Sequence, residues 1–479
     1  MKNNGEIPVT NPRTGKVDFR IIPADGEDIK TACVLLRDNQ TSWCEKTLEF
    51  RADILLQFAH TISEYRDDLI AALTDDTGRY GLSVMETDGV AASINRWIKT
   101  AEMLNTPSEG RSTSLPFITY SVENRPLPLV GVISPWNFPL TLALIDAIPA
   151  LLAGCAVIIK PSEVTPRFAE PLRRVISEVP ELDAVLTIGD GGGETGAALV
   201  DNVDAVCFTG SVATGRKVGE QAARNFIPAF LELGGKDPAI VLASADIDRA
   251  ATAILRGSII NTGQGCQSIE RIYVHESLFD AFLALLVVKA KAVQLNTPDI
   301  HTGHMGPLIF ARQAEIIQSQ IDDAVSKGAV VHTGGKILER GGLWCPPTVL
   351  SNVTHDMTVM GEETFGPILP VMAFKDVDEA VALANDSVFG LSASVFAADT
   401  QEAIATGRRI EAGAISINDA ALTSLMYEAE KNSFKLSGLG ASRMGPPGLM
   451  RFFRKQSFMT NTADVFTIQQ FDETNSKPE

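Results

Sequence analysis

Apolar and polar positions change period several times along this chain. Asn11-Pro12-Arg13-Thr14-Gly15-Lys16 is turn chemistry between two short β-type runs, which predicts an N-terminal hairpin. Over residues 27–103 apolar side chains recur at helical spacing, for example through Leu48, Ile54, Leu55 and Phe58. Residues 112–125 read instead as β-branched and aromatic, a strand-like excursion. From Val130-Gly131-Val132-Ile133 onward, strands alternate with helix-length segments. The strand candidates are 157–160, 185–188, 205–209 and 229–233, and a second alternating unit covers 239–418. Such alternation predicts an α/β chain with mainly parallel sheets and crossover helices. The tail returns to β-type residues at Val465-Phe466-Thr467-Ile468, before a polar end expected to be disordered.

The apolar stretch 140–159 has nearly the length of a membrane span, but Asp146, Pro149 and Gly154 interrupt it. A buried helix followed by a buried strand explains it better. The polar start, 1–6, carries no secretory pattern, so a cytoplasmic protein is expected.

At 479 residues the chain calls for two or three domains. With 41 Lys and Arg against 59 Asp and Glu, the formal charge is −18. No basic surplus exists to displace counterions, which excludes a general nucleic-acid binder. The six cysteines, at 33, 44, 155, 207, 266 and 345, are dispersed and show no CxxC spacing. Neither a disulfide framework nor a metal site is expected.

Four of those cysteines lie in hydrophobic runs, but Cys266 sits in Asn261-Thr262-Gly263-Gln264-Gly265-Cys266-Gln267, just ahead of a strand-like run. Its neighbours are not core residues, so a loop-borne nucleophile is favoured over an inert thiol. A thiolate nucleophile needs partners that activate it and stabilise its adducts. Asn137, in Pro135-Trp136-Asn137-Phe138-Pro139, either caps a helix or donates to an oxyanion. Glu232, in Leu231-Glu232-Leu233-Gly234-Gly235-Lys236, has apolar neighbours that would raise its pKa toward that of a general base.

Two glycine loops compete for a phosphate role. Gly191, Gly193 and Gly196 satisfy GxGxxG, yet a lone match is weak, and a permissive turn opening a helix is preferred. Phe208-Thr209-Gly210-Ser211, one strand later, is the better candidate: glycine admits a phosphate, the Ser211 hydroxyl can donate, and the following helix start is electropositive.

Taken in order, these motifs resemble the aldehyde dehydrogenase superfamily, from the NPRTG hairpin to Ser437-Gly438. The resemblance implies an α/β fold with two parallel-sheet domains and a β-rich oligomerisation arm. It gives a cofactor domain over 1–111 and 126–235, a catalytic domain over 236–440, and an arm and tail over 112–125 and 441–479. It implies Cys266 as nucleophile, Asn137 with the Cys266 N–H as oxyanion donors, and Glu232 as the base that activates water. It also implies a nicotinamide cofactor held by Ile133, Trp136, Lys160, Ser162, Glu163, Gly210, Ser211, Glu363 and Phe365. Glu163 would accept from a ribose diol and repel a 2′-phosphate, so NAD is favoured, with NADP open as an alternative. The implied reaction is oxidation of an aldehyde to an acid in a homodimer or homotetramer. The apolar line Phe138, Thr141, Leu142 and Ile145 points toward an aromatic or aliphatic aldehyde. The rivals are a CoA-acylating enzyme and a catalytically silent relative.

Overall fold

The computed structural model describes residues 5–104 and 108–473; the expected disordered end, 474–479, and the first residues of the polar start, 1–4, lie outside them. The predicted hairpin is present as Ile7–Asn11 and Lys16–Ile21. Four helices follow, Gly26–Cys44, Leu48–Glu64, Arg66–Thr77 and Tyr80–Leu104. Their boundaries have local causes. Asp25 accepts from the Glu27 and Asp28 N–H groups at the first start, and Thr47 accepts from Phe50 at the second. Gly78, at φ +70°, ends the third. The apolar stretch resolves into helix Pro139–Ala153 and strand Ala156–Lys160, joined through Gly154 at φ +101°. Among the described residues no helix is long and apolar enough to cross a membrane.

Two sheets organise the rest. The first has the order Gly438–Leu439, Ala229–Glu232, Ala205–Thr209, Leu129–Ile133, Ala156–Lys160, Leu186–Ile188. Its neighbours run parallel except for Gly438–Leu439, which pairs antiparallel with Ala229–Glu232. The second has the order Val330–Thr333, Thr348–Ser351, Ile368–Phe374, Ile269–His275, Asp237–Val241, Ser392–Phe396, Ala414–Ile417. Their middle strands are buried along their length, as parallel strands covered on both faces must be. One core lies around the first sheet, and two more pack against the faces of the second.

A third sheet, antiparallel, joins Ser108–Arg111, Ile118–Pro126 and Phe453–Asn461. Here the structure corrects the reading of the tail. Val465 to Ile468 form no strand; the strand is Phe453–Asn461, in register with Ile118–Pro126 from Phe453 opposite Pro126 to Asn461 opposite Ile118. Its sequence is largely polar, and it owes its conformation to that long ladder, which a local pattern does not reveal. Boundaries move for the same reason. Ser108–Arg111 belongs to this sheet rather than to the first α/β unit. Helix Gly445–Met450 and Phe452 turn back onto the first unit, where Leu449 and Phe452 are buried in its core.

Candidate active site

The first sheet reverses its winding between Leu129–Ile133 and Ala205–Thr209, because successive strands are added on one side and then on the other. In such sheets ligands bind beyond the carboxyl ends of the strands at this switch. Ile133, Lys160, Thr209 and Glu232 are the last residues of four adjacent strands there. Gly210 donates its N–H to the Glu232 carbonyl at 3.1 Å, and Ser134 donates to the Lys160 carbonyl at 3.0 Å, so the strand ends form one rim.

Cys266 lies on a loop whose conformation is left-handed three times running, at Asn261 (φ 53°), Thr262 (φ 59°) and Gly263 (φ 72°). Such backbone is costly for non-glycine residues and persists only when the surroundings hold it. Gln264 is fully buried; its Oε1 accepts from Ile309 at 2.8 Å and its Nε2 donates to the Asn261 carbonyl at 2.9 Å. The Thr262 hydroxyl donates to Gly306 at 2.9 Å. Gly263 has no room for a side chain, since a Cβ would run into the Gly366 carbonyl group. Gly263→Ala is therefore expected to cost about 2–3 kcal/mol of stability, read as a lowered denaturant midpoint.

Asn137 reaches this loop directly. Its Nδ2 donates to the Gln264 carbonyl at 2.9 Å, and its own carbonyl accepts from Asn261 Nδ2 at 2.9 Å and Arg79 Nη2 at 2.7 Å. Arg79 is paired with Glu86 at 2.8 Å, and Glu86 accepts from the Thr141 N–H at 3.0 Å. The helix that starts at Pro139 is thus clamped at its first turn by a buried ion pair.

The Leu231–Lys236 segment meets the loop from below. The Cys266 carbonyl packs where a side chain at Gly235 would be, and the Glu363 carboxylate lies 2.6 Å from where a Gly234 Cβ would stand. The Gly235 N–H donates to Glu363 Oε1 at 3.0 Å. Glu270 accepts from the Thr364 and Phe365 N–H groups, both at 2.8 Å, and from Lys236 Nζ at 2.7 Å, which fixes the loop carrying Glu363 and Phe365. Phe365 (φ 51°) packs edge-on against Trp136, with ring centroids 5.3 Å apart.

Burial pushes the Cys266 thiol up to about 12; Lys431 opposes that rise, while Glu363, Asp237 and Glu232 add to it. Burial, and then Glu270, pushes the Glu363 carboxyl up to about 8, with the Gly235 N–H pulling the other way. Lys160, 3.2 Å from Glu163, is lowered by burial and raised again by that carboxylate. The Ser162 hydroxyl accepts from Val164, and Ser211 caps helix Val212–Arg224 by accepting from Thr214 at 3.3 Å.

The aldehyde dehydrogenase family model matches residues 1–458. The chain belongs to the aldehyde dehydrogenase family. A candidate aldehyde dehydrogenase, PutA, from Anabaena variabilis is 55% identical with a TM-score of 0.95, over 98% of this chain and 100% of that one. Betaine aldehyde dehydrogenase from Staphylococcus aureus, solved with NAD+, is 31% identical with a TM-score of 0.91, over 97% and 93%. A candidate NADP(+)-dependent succinate-semialdehyde dehydrogenase from Mycobacterium ulcerans is 34% identical over 95% of this chain and 88% of its own length. This chain is accordingly an NAD(P)-dependent aldehyde dehydrogenase. The switch-point rim suits such a cofactor: the helix starting at Val212 opens directly beyond a strand end, as phosphate sites do.

One feature of this aldehyde dehydrogenase differs from the sequence reading. The apolar neighbours of Glu232 predicted apolar surroundings for its carboxylate. The structure instead supplies Lys431 Nζ at 3.5 Å and the Ser433 hydroxyl at 3.3 Å, from a segment about 200 residues away that carries no motif. The GxGxxG run opens helix Gly193–Asn202, as preferred for it, and packs on Ala24, whose carbonyl accepts from Thr195. Gly196 is buried there, and a Cβ on it would lie 3.7 Å from Lys160 and 3.8 Å from Ile133.

Proposed function

We propose that this enzyme oxidises an apolar aliphatic or aromatic aldehyde to the carboxylic acid through a covalent adduct on Cys266. The observation carrying this reading is the convergence on one loop of the Asn137 amide, bonded to Gln264, and of Gly235, against the Cys266 carbonyl. Cys266 attacks the aldehyde carbon as thiolate, giving a thiohemiacetal. The growing negative charge on oxygen is met by Asn137 Nδ2, whose second hydrogen remains after its bond to Gln264, and by the Cys266 N–H. A bound nicotinamide supplies the hydride acceptor that makes the thiohemiacetal a thioester. Glu232 then takes a proton from water, which attacks the thioester and releases the acid with the thiol restored. Lys160 and Glu163 would hold the adenine-side ribose, Gly210 and Ser211 the phosphates, and Glu363 the nicotinamide ribose. Ile133, Ser162, Trp136 and Phe365 complete the cleft. A ribose diol suits Glu163 better than a 2′-phosphate, so NAD is the preferred cofactor.

Thr141, Leu142 and Ile145 lie in the first two turns of helix Pro139–Ala153, with Phe138 at its N-cap, and this mainly apolar set favours an apolar aldehyde. Among the described residues the antiparallel arm has an unpaired edge at Ser108–Arg111 and exposes Phe458 and Met459, which supports a homodimer or homotetramer joined there.

The test is NAD(P)H production with a panel of aldehydes varied in length, aromaticity and terminal charge, with and without CoA. Turnover of apolar aldehydes without CoA supports the reading; an absolute requirement for CoA, or no turnover, overturns it. Asn137→Ala is expected to lower kcat about 10²- to 10³-fold in the same assay.

A further inference from the structure

We propose that Lys431 is a positioning residue for both halves of the reaction, one ammonium that holds the Glu232 carboxylate in place and steadies the Cys266 thiolate. This rests on the reading of Cys266 and Glu232 as nucleophile and base.

The geometry is specific. Lys431 Nζ stands 3.5 Å from Glu232 Oε2 with side-chain exposures of 10% and 14%, so the pair is largely withdrawn from water. Ser433 donates to the same oxygen at 3.3 Å. Lys431 and Ser433 are two residues apart, which puts both side chains on one side of an extended segment. That segment is fastened along its length. The Lys431 N–H reaches Ser442 Oγ at 3.4 Å, the Asn432 carbonyl packs on Gly413, and Phe434–Lys435 pairs with Phe389–Gly390. Lys435 Nζ donates to the Asn385 and Ser387 carbonyls at 2.8 and 3.0 Å. Farther on, Leu233 N–H donates to Ser437 at 2.9 Å and Gly438 pairs with Glu232. One loop therefore grips Glu232 by its backbone on one side and by its carboxylate on the other. A cation delivered this way is built in rather than incidental.

The charge pattern gives the cation its second task. Glu363, Asp237 and Glu232 all oppose ionisation of Cys266, whose carbonyl packs on Gly235, in the segment between Glu232 and Asp237. Lys431 is the cation that favours it, and Arg443, buried against Asp146 and Thr209, also lies within reach of Cys266 and Glu232. Removing Lys431 would leave Arg443, already paired with Asp146, as the cation against three carboxylates. The same ammonium, with the Ser433 hydroxyl, fixes where the Glu232 carboxylate can meet a water.

Alkylation of Cys266 by iodoacetamide as a function of pH, followed by peptide mass spectrometry, reads the thiol without requiring turnover. In Lys431→Met, alkylation at pH 8 should fall about tenfold, the effect of a one-unit rise in thiol pKa. The steady rate should fall while the amplitude of the NAD(P)H burst is kept, because a carboxylate no longer held in place activates water poorly. Lys431→Arg should restore both the alkylation profile and the steady rate. Lys431→Gln, which keeps a hydrogen bond but not the charge, should behave like Lys431→Met and covers the case in which methionine disturbs folding. Profiles in either neutral variant that superimpose on the wild type would overturn the proposal and leave the nucleophile assignment standing. Full activity in Cys266→Ser would overturn that assignment instead.

Discussion

Cys266→Ser is expected to reduce NAD(P)-linked aldehyde oxidation by about 10⁴-fold or more, roughly 5 kcal/mol of barrier. The reason is chemical before it is structural. At neutral pH a thiol supplies some thiolate, whereas a serine hydroxyl supplies almost no alkoxide and needs a dedicated base. The substitution is nearly isosteric on a loop held by Gln264, Asn261 and Thr262 rather than by the sulfur, so the fold should survive. Unchanged unfolding alongside lost turnover is the expected pair of results. The other half-buried cysteine, Cys44, is remote in sequence and bonded to the Thr41 carbonyl, and its replacement should leave turnover intact.

Glu232→Gln is the second large effect, and it should divide the reaction in two. Attack by Cys266 and loss of hydride do not need a carboxylate at 232, but hydrolysis of the thioester does. Stopped-flow traces should keep a burst close to one NAD(P)H per active site, while the steady rate falls by about 10²- to 10⁴-fold. Glutamine is the appropriate replacement because it can still accept from Ser433 and sit beside Lys431, so the grip on residue 232 is only partly released. A variant that lost the burst as well would place Glu232 in the first half of the reaction and contradict its role as hydrolytic base.

Much of this was legible in the chain because the signals were local. Strands such as Ala205–Thr209 and Ala156–Lys160 are short apolar runs bounded by turn residues, and they occur where the pattern put them. Cys266 stands out because glycine and glutamine around a cysteine are unlike the apolar runs of the other thiols, although Gln264 is itself fully buried, its amide satisfied by Ile309 and Asn261. What stayed hidden depends on contacts between distant residues. Phe453–Asn461 is polar and becomes a strand only by pairing with Ile118–Pro126. Lys431 lies in a polar run that looks like an ordinary solvated loop, and only the fold brings it to Glu232. The Lys236–Glu270 pair behind the Phe365 loop is buried for the same reason, two charges far apart in sequence that satisfy each other.

The most direct measurement is intact-protein and peptide mass spectrometry of Glu232→Gln after mixing with NAD(P) and an aldehyde substrate and quenching in acid. Cys266 chemistry predicts an acyl group in thioester linkage, close to one per chain, on the peptide containing Cys266 and released by hydroxylamine. Stoichiometric NAD(P)H with no acyl group on Cys266, or with the acyl group on another residue, would contradict it.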